Sequence, residues 1–361
     1  MNLEDLEIDL ITNMARYSGI GSYSSELFRI LSPAIPKLKL YSLCHREGVG
    51  ITGSINMSHF YATNVFQIPF VTRRNFKIIK ESKRFNGENL HLLGSDYSLV
   101  SESNRAIATI HEYYYTVNDL YKLKSTIDIA RELSYNYGEL KLHRYIKKFQ
   151  KIITPSHHSA KQVKEHTGIE PVVIHETVDE NKFHAREKEF SRKMLRLPED
   201  KIFLLNVSGE GPNKNLKTLQ RLAEILPNNF KLIKIGSPIK SKNALNFNNV
   251  RDDMYPLFFT AADIYLNVST NEGFNIPLME SLKSSLPVVS NRCATSTELL
   301  GDGGIYIENP YDVGEYLKIL LFASDNATLK YYSDLSVSQA SKFSDELARQ
   351  KYLQVYSNVF Q

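Results

Sequence analysis

Two glutamates in one short segment, Glu272 and Glu280, carry carboxylates that could accept hydrogen bonds from a polyhydroxylated ligand. They lie in STNEGFNIPLMESLKSSLPVVSN (269–291), directly after the apolar run DIYLNV. This order predicts a strand, a loop that carries Glu272, and a helix that Pro277 opens and that carries Glu280 in its first turns. Ligands of α/β folds bind beyond the carboxyl ends of strands, and the free N–H groups at a helix start suit a diphosphate. Glu272 is then predicted to contact a sugar hydroxyl and Glu280 the ribose hydroxyls. The alternative is an ordinary loop and a glutamate stabilised by the helix dipole.

A cation could complement this pair. Lys214 follows the apolar run IFLLNVS and precedes the helical pattern NLKTLQRLAEIL. A lysine there would offset negative charge developing on a leaving diphosphate, an electrostatic role whose loss costs roughly 10²–10³ in rate. A solvated surface lysine would have the same sequence neighbours, so the position alone leaves both interpretations open.

These residues need a scaffold that ends several strands at one edge of a sheet. Short β-rich runs alternate with amphipathic helical patterns, which predicts doubly wound α/β architecture. The strands are predicted at 7–11, 38–43, 97–101, 106–110, 151–154, 172–175, 202–208, 232–236, 263–268, 287–290 and 304–307. The pattern occurs twice, before and after about residue 180. The charged stretch 179–199 is predicted to be the linker with the first residues of the second half.

Length and composition exclude several classes of protein. A chain of 361 residues is long enough for two domains, and 42% hydrophobic with 23% charged residues is ordinary for a soluble globular protein. The net charge of +4 is too small to make nucleic acid the main partner. Two cysteines form neither a disulfide framework nor a zinc cluster, which favours a cytoplasmic setting. No secretory signal and no run of 18 apolar residues are found in the sequence.

Several segments together resemble a known family. The block 269–291 is similar to the E-x7-E signature of glycosyltransferase family 4, whose members are retaining enzymes of the GT-B fold. Glu272 and Glu280 stand at its two glutamate positions. PVVS, Glu298 and GDGG (301–304) resemble the continuation of that block. VSGEGPNKNLKTL, IITPSHHSAKQV, ATIHE and ARYSGIGSYSSEL resemble further segments of the family, so the resemblance spans nearly the whole chain.

The resemblance implies a fold and an activity. The fold would be GT-B, with two Rossmann-like doubly wound domains facing a cleft. An acceptor domain would span 1–180, a donor domain 181–340, and a last helix at 341–361 would return to the first domain. The activity would be that of a retaining hexosyltransferase, which moves a sugar from a nucleotide diphosphate sugar to a glycan or lipid-linked acceptor.

The resemblance also implies the site. The implied catalytic residues are His111, Lys214 and Glu272. The implied donor-binding residues are Gly19, Gly21, Gly209, Asn213, Lys214, Gly236, Glu272, Gly273, Phe274, Asn275, Ile276 and Glu280. A plain tight turn is the alternative for Gly19 and Gly21, and a structural histidine for His111. No Asp-x-Asp motif ends a predicted strand, so neither a metal nor another cofactor is expected.

Some positions depart from the family pattern. The arginine common shortly before Lys214 is absent, Asn275 and Ser285 replace common glycines, and HET (175–177) stands where Pro-Asn-Gly is frequent. Glu112 replaces a common aspartate. These departures leave donor specificity open. They also leave open two rival functions: a nucleotide-sugar epimerase or phosphorylase of the same fold, and a non-catalytic partner subunit that binds nucleotide or glycan.

Two basic stretches, 72–85 and 141–151, bear on membrane contact. The second places Leu142, Tyr145 and Phe149 among cations. A basic amphipathic helix can lie on an anionic membrane, which would suit a lipid-linked acceptor and a location on the inner face of the membrane. The favoured alternative is a helix that packs its apolar stripe on the sheet and leaves its cations in solvent.

Overall fold

The chain folds into two compact units in the computed structural model, which describes residues 5–12, 19–42, 50–52, 77, 86–94, 97–112 and 142–361. One unit comprises Met1–Glu176 with Asp345–Gln361, and the other comprises Thr177–Ser344. Each unit contains one sheet with helices packed on it. Among the described residues, no helix is both long enough and apolar enough to cross a bilayer.

The first unit contains a seven-stranded sheet in the order β3-β2-β1-β4-β5-β6-β7. Its strands are β1 (Glu7–Thr12), β2 (Lys37–Ser42), β3 (Gly50–Thr52), β4 (Asn89–Leu93), β5 (Arg105–Thr109), β6 (Lys151–Thr154) and β7 (Val172–Val173). β2 and β3 pair antiparallel, and the other neighbours pair in parallel. The described helices of this unit include Gly19–Leu31, His157–Thr167 and Asp345–Phe360. The apolar side chains of β1 are fully buried, as expected for a parallel strand covered on both faces.

One strand prediction in this unit is wrong. Residues 97–101 were predicted as a strand, but Tyr97–Glu102 is a 3₁₀ helix. Its adjacent Leu99 and Val100 are both buried, which a single helical turn achieves on one side. The central strand is instead β4, whose polar Asn89 and His91 obscure the apolar run in the sequence.

The last helix, Asp345–Phe360, belongs to the first unit. Its Tyr352, Tyr356 and Phe360 are buried there. The hydroxyl of Tyr352 lies 2.7 Å from that of Tyr23, and the Tyr356 hydroxyl lies 2.7 Å from His91 Nδ1. These buried hydrogen bonds satisfy polar groups that would otherwise carry a desolvation cost.

The second unit contains a six-stranded sheet in the order β10-β9-β8-β11-β12-β13, with all neighbours parallel. Its strands are β8 (Ile202–Ser208), β9 (Phe230–Gly236), β10 (Ala244–Phe247), β11 (Ile264–Asn267), β12 (Val288–Asn291) and β13 (Gly304–Ile307). Its helices are Lys188–Leu195, Leu216–Ile225, Tyr255–Ala261, Ile276–Lys283, Ala294–Leu300, Val313–Ala323 and Asn326–Ala340. This is the strand order of a doubly wound nucleotide-binding sheet, and its direction of winding reverses between β8 and β11.

Apolar side chains cover both faces of the second sheet. Along β8, Phe203 and Leu205 join the core on one face, while Leu204 joins the core on the other. The stretch 179–199, predicted as a linker, lies in this unit and forms the helix Lys188–Leu195 within it. The sheet is therefore packed on both faces, and its parallel strands end at one common edge.

Candidate functional site

The candidate site lies where the second sheet reverses its winding. In an open α/β sheet this switch point leaves a crevice beyond the carboxyl ends of the two central strands. The segment after β8 carries Lys214, at the end of the short 3₁₀ helix Pro212–Lys214. The segment after β11 carries Glu272. Two residues that are 58 positions apart in sequence are thereby brought to one place.

Lys214 and Glu272 form a direct ion pair. The Lys214 ammonium donates to both carboxylate oxygens of Glu272, at 2.7 and 2.8 Å. The Glu272 side chain is 8% exposed and that of Lys214 is 26% exposed. Because a buried carboxylate is costly without a partner, this ion pair compensates the charge of the glutamate, and the lysine side chain stays partly exposed.

The two segments are also joined through Asn213. The Thr270 backbone N–H donates to the Asn213 carbonyl at 2.8 Å, and the Asn213 side-chain amide donates to the Asn271 carbonyl at 2.8 Å. Asn213, predicted to bind the donor, therefore has a structural task in this structure: it holds the lysine segment against the glutamate segment.

A third element anchors Glu272 from behind. Thr295, on the helix Ala294–Leu300, is buried, and its hydroxyl donates to the Glu272 carbonyl at 2.5 Å. The backbone of Glu272 is thus fixed while its carboxylate faces Lys214. Preorganised charges of this kind need no rearrangement when a charged ligand arrives.

Glu280 is held separately, on the helix Ile276–Lys283. The Tyr255 hydroxyl donates to its Oε2 at 2.7 Å, and the carboxylate is largely buried. Burial raises the pKa of the Tyr265 phenol on β11 well above its ordinary value, and the negative charges of Glu272 and Glu280 add to that rise. Both carboxylates therefore lie within electrostatic reach of one buried side chain, as expected if they border a common site.

The helix that carries Glu280 begins in an unusual conformation. Asn275 has φ +77° and its side-chain oxygen accepts from the Leu278 N–H at 3.3 Å, so it caps the helix. Asparagine tolerates the left-handed region better than other non-glycine residues. Ser285, just beyond the helix, also has a positive φ. Both positions are those where the family commonly has glycine, and the backbone conformation explains why.

The other residues of this unit that were predicted to bind the sugar donor differ in how accessible they are to a ligand. A side chain added at Gly209 would meet nothing within 4 Å, so its backbone is open to a ligand. Gly236 has φ +96°, and a Cβ there would lie 2.4 Å from the Ser208 carbonyl oxygen, which makes glycine a structural requirement. Phe274 is a core residue, so only its backbone is left for a donor, and Ile276 packs partly against the same core. Gly273 lies between Glu272 and Phe274 in the segment after β11.

The first unit holds the remaining predicted residues. Gly19 and Gly21 lie in the first turns of the helix Gly19–Leu31, and residues 16–18 of the glycine loop are outside the described residues. His111 follows β5, and its Nδ1 lies 2.9 Å from Glu176 Oε1. Its ring meets that of Tyr23 edge to face, with centroids 4.5 Å apart.

Sequence reasoning missed several residues at or near these sites. Tyr255, Thr295 and Glu176 hold Glu280, Glu272 and His111, respectively. Each contact joins residues more than 20 positions apart and has no local sequence signal. For Glu176 a hint existed, because it lies in the HET segment that departs from the family pattern.

The second basic stretch packs as its favoured interpretation predicted. Leu142, Ile146 and Phe149 are buried in the core of the first unit, while Lys147 and Lys148 are exposed. Its apolar side chains are therefore not available for insertion into a bilayer. The first basic stretch, 72–85, lies outside the described residues except for Lys77.

The match to a known family of proteins lies in the second unit. Residues 190–323 match the family model for glycosyl transferases group 1. The O-antigen chain mannosyltransferase B of Escherichia coli is 28% identical over 108 residues, which cover 30% of this chain and 28% of that protein. The O-antigen biosynthesis glycosyltransferase WclY of Escherichia coli is 24% identical over 204 residues, 52% of this chain and 56% of that protein. The matches thus span from about a quarter to about half the length of these curated relatives.

Solved structures share the fold over nearly the full chain. Sucrose-phosphate synthase from Thermosynechococcus elongatus superposes with a TM-score of 0.75 at 14% identity, covering 98% of this chain and 99% of that one. Anabaena HepE, in complex with UDP-glucose, superposes with a TM-score of 0.72 at 12% identity, covering 98% and 100%. The GT-B class predicted from the sequence is confirmed. Membership of family 4 and the role of the E-x7-E motif stay predictions.

Proposed function

We propose that this chain is a retaining glycosyltransferase that moves a hexose from a nucleotide diphosphate sugar to a glycan or lipid-linked acceptor. One observation carries the proposal. Lys214 and Glu272 pair at the switch point of the second sheet, and Glu280 is held on the helix that follows the Glu272 segment. A cation and two carboxylates at that place match the needs of an anionic diphosphate flanked by a ribose and a hexose. The family model covering 190–323 and the O-antigen glycosyltransferases similar to this chain support it.

Each side chain then has a role. The donor diphosphate lies against Lys214 and the open backbone at Gly209. Glu272 accepts a hydrogen bond from a hexose hydroxyl, and Glu280 accepts from the ribose. As the bond between the anomeric carbon and the phosphate oxygen breaks, Lys214 stabilises the charge on the leaving diphosphate. The acceptor oxygen bonds to the same face of the sugar, and its proton passes to the leaving phosphate oxygen.

In this proposal, His111 contributes to binding of the acceptor substrate. Its Nε2 is buried and has no hydrogen-bond partner among the described residues. A buried nitrogen without a partner is unfavourable, and a sugar hydroxyl would satisfy it. No metal enters the proposed reaction, because lysine and backbone N–H groups carry the diphosphate charge.

The names of the relatives support the proposed acceptor, and exposed lysines of the first unit support the proposed location. The curated relatives are named for O-antigen synthesis, which supports a glycan or a lipid-linked glycan as acceptor. The exposed Lys147 and Lys148 would give the first unit an electrostatic contact with an anionic membrane. We accordingly place the protein in the cytoplasm, with a peripheral contact at the inner face of the membrane.

A two-step experiment tests the proposed function. The purified chain is first screened with nucleotide sugars for a rise in melting temperature, because a ligand that prefers the folded state stabilises it. The stabilising donor is then incubated with glycan and lipid-linked acceptors, and the product and its anomeric configuration are determined. Glu272→Ala should lose transfer, while Glu189→Ala, which changes an exposed glutamate of the same unit, should keep it.

The rival functions predict other products. An epimer formed from the donor without any acceptor would identify an epimerase and overturn the proposal. Wild-type transfer by Glu272→Ala would remove the proposed role of that carboxylate. Binding of a nucleotide sugar without transfer or hydrolysis by the purified chain would identify a non-catalytic binding subunit.

A further inference from the structure

Lys234 is a buried lysine in the interior of the second sheet. It lies on β9, which pairs with strands on both sides, and its side chain has no exposed surface. Its ammonium donates to the Ser208 carbonyl at 2.6 Å and to the Ile235 carbonyl at 2.8 Å. Within the described residues, no carboxylate pairs with it.

Such a group is costly where it stands. Burial, and to a smaller extent the charge of Lys214, together lower the pKa of Lys234 to about 7. A methionine or leucine of similar size would fill the strand without any desolvation cost. The position therefore stabilises the sheet less than an apolar residue would, which points to a role other than packing.

The place of the ammonium suggests that role. Ser208 is the last residue of β8, and its carbonyl also accepts from the Ser237 N–H at 3.0 Å. The missing side chain of Gly236 lets β9 approach this carbonyl closely. The chain continues from Ser208 through Gly209 to Lys214, so Lys234 braces the start of the segment that carries the proposed diphosphate site.

We infer that Lys234 is a positioning residue that takes up a proton when the donor diphosphate binds, and that it then supplies a second positive charge behind Lys214. The inference rests on the proposed function, since it concerns the same diphosphate. In the free protein, the charge of Lys214 repels the Lys234 ammonium, while Lys214 itself is paired with Glu272. An arriving diphosphate adds two negative charges at this edge of the sheet and so favours the protonated amine. The proton comes from the buffer and bonds to the Nζ lone pair.

Calorimetry can count this proton. UDP-glucose and GDP-mannose are titrated into the protein at pH 7.5, in two buffers with different ionisation enthalpies. The diphosphate of a nucleotide sugar is esterified at both ends, so it does not itself titrate near neutral pH. We expect the wild-type protein to take up roughly half a proton or more on binding, because a lysine of pKa near 7 is mostly neutral at this pH.

Two variants separate this role from a structural one. Lys234→Met should bind the same nucleotide sugar roughly 10-fold more weakly and take up almost no proton, since the titrating group is gone. Lys231→Met changes a lysine on the same strand, which bonds to Lys242 O and Asn243 Oδ1, and should leave proton uptake unchanged. A structural role alone would alter stability but not proton uptake.

The outcomes are distinct. Binding by the wild-type protein without proton uptake, or equal uptake by Lys234→Met, would overturn the inference and leave the proposed function standing. Failure of the wild-type protein to bind any nucleotide sugar would overturn the proposed function itself. If Lys234→Met does not fold, wild-type protein labelled with ¹³C at lysine Cε gives the answer: one lysine should titrate near pH 7 alone and at a higher pH when saturated with donor. An unchanged titration would contradict the inference.

Discussion

His111 and Glu176 form a histidine–carboxylate pair at the end of β5, with Nδ1 and Oε1 2.9 Å apart. A carboxylate can only accept, so Nδ1 carries a proton and the lone pair of the neutral ring lies on Nε2. Glu176 thus fixes both the orientation and the tautomer of the ring. Nε2 is buried and has no partner among the described residues, so it is available to a ligand hydroxyl.

Glu176→Gln tests this relationship. A glutamine removes the charge and can present either an amide donor or an oxygen to Nδ1, so the tautomer is no longer fixed. A hydrogen bond to a charged group contributes about 1.5–3 kcal/mol, and we expect kcat/KM for sugar transfer to fall by about 10–100-fold. Glu165→Gln, an exposed glutamate of the same unit, is the control and should be unaffected. Full activity of Glu176→Gln would show that the pair is structural.

The pair of Lys214 and Glu272 should be coupled in stability. Lys214→Met leaves a largely buried carboxylate without its ammonium, which costs about 1–3 kcal/mol in the free energy of unfolding. In the double variant Lys214→Met/Glu272→Gln the unpaired charge is absent, so unfolding in urea should be closer to wild type than for Lys214→Met alone. Lys217→Met, at an exposed lysine nearby, serves as the control. Additive losses in the double variant would contradict the coupling.

The Tyr255 hydroxyl should matter for donor affinity rather than for folding. It donates to Glu280 Oε2 at 2.7 Å and orients the carboxylate proposed to bind the ribose. Tyr255→Phe keeps the ring in the core and removes only this bond. We expect the Kd for the nucleotide sugar to rise by about 5–20-fold, measured by calorimetry. Tyr311→Phe, at an exposed tyrosine of the same unit, should bind as wild type does. Equal affinity of the two variants would remove Tyr255 from the site.

Periodicity and loop residues predicted most of the second sheet. β8 and β13 have the predicted bounds, and Lys214 and Glu272 meet because their segments follow β8 and β11. The reason is local: apolar runs of five to seven residues, ended by polar loops, determine strands covered on both faces. The conformation at Asn275 was also readable in principle, since its position is one where the family commonly has glycine.

What the sequence did not show depends on contacts between distant residues. β4 was missed because His91 interrupts its apolar pattern, and this polar ring is satisfied by Tyr356, 265 positions away. The strand β9 was predicted despite Lys234, but the partners of this lysine, backbone carbonyls of two strands, were not. A buried polar residue is compatible with a strand only if tertiary structure provides its partner, and one sequence does not reveal that partner.

His91 should make the stability of the protein depend on pH. Its ring is fully buried, with Nδ1 bonded to the Tyr356 hydroxyl and Nε2 to Thr109 Oγ1 at 2.8 Å. Burial lowers the pKa of His91 to about 3, with a further contribution from His111, whereas an unfolded histidine has a pKa near 6.5. Because the folded pKa is the lower one, the unfolded chain binds more protons between pH 3 and 6.5. The stabilisation is therefore complete above about pH 6.5 and is lost as the pH falls towards 3.

Unfolding in urea at two pH values measures this effect. Between pH 7 and pH 5, His91 alone should lower the free energy of unfolding by about 2 kcal/mol. His91→Gln retains a donor and an acceptor for the two hydroxyls but cannot titrate, so its loss over the same interval should be smaller by about that amount. His166→Gln, which changes an exposed histidine of the same unit, should retain the wild-type pH dependence. If His91→Gln loses as much stability as the wild-type protein, the buried imidazole is not the group that responds to acid.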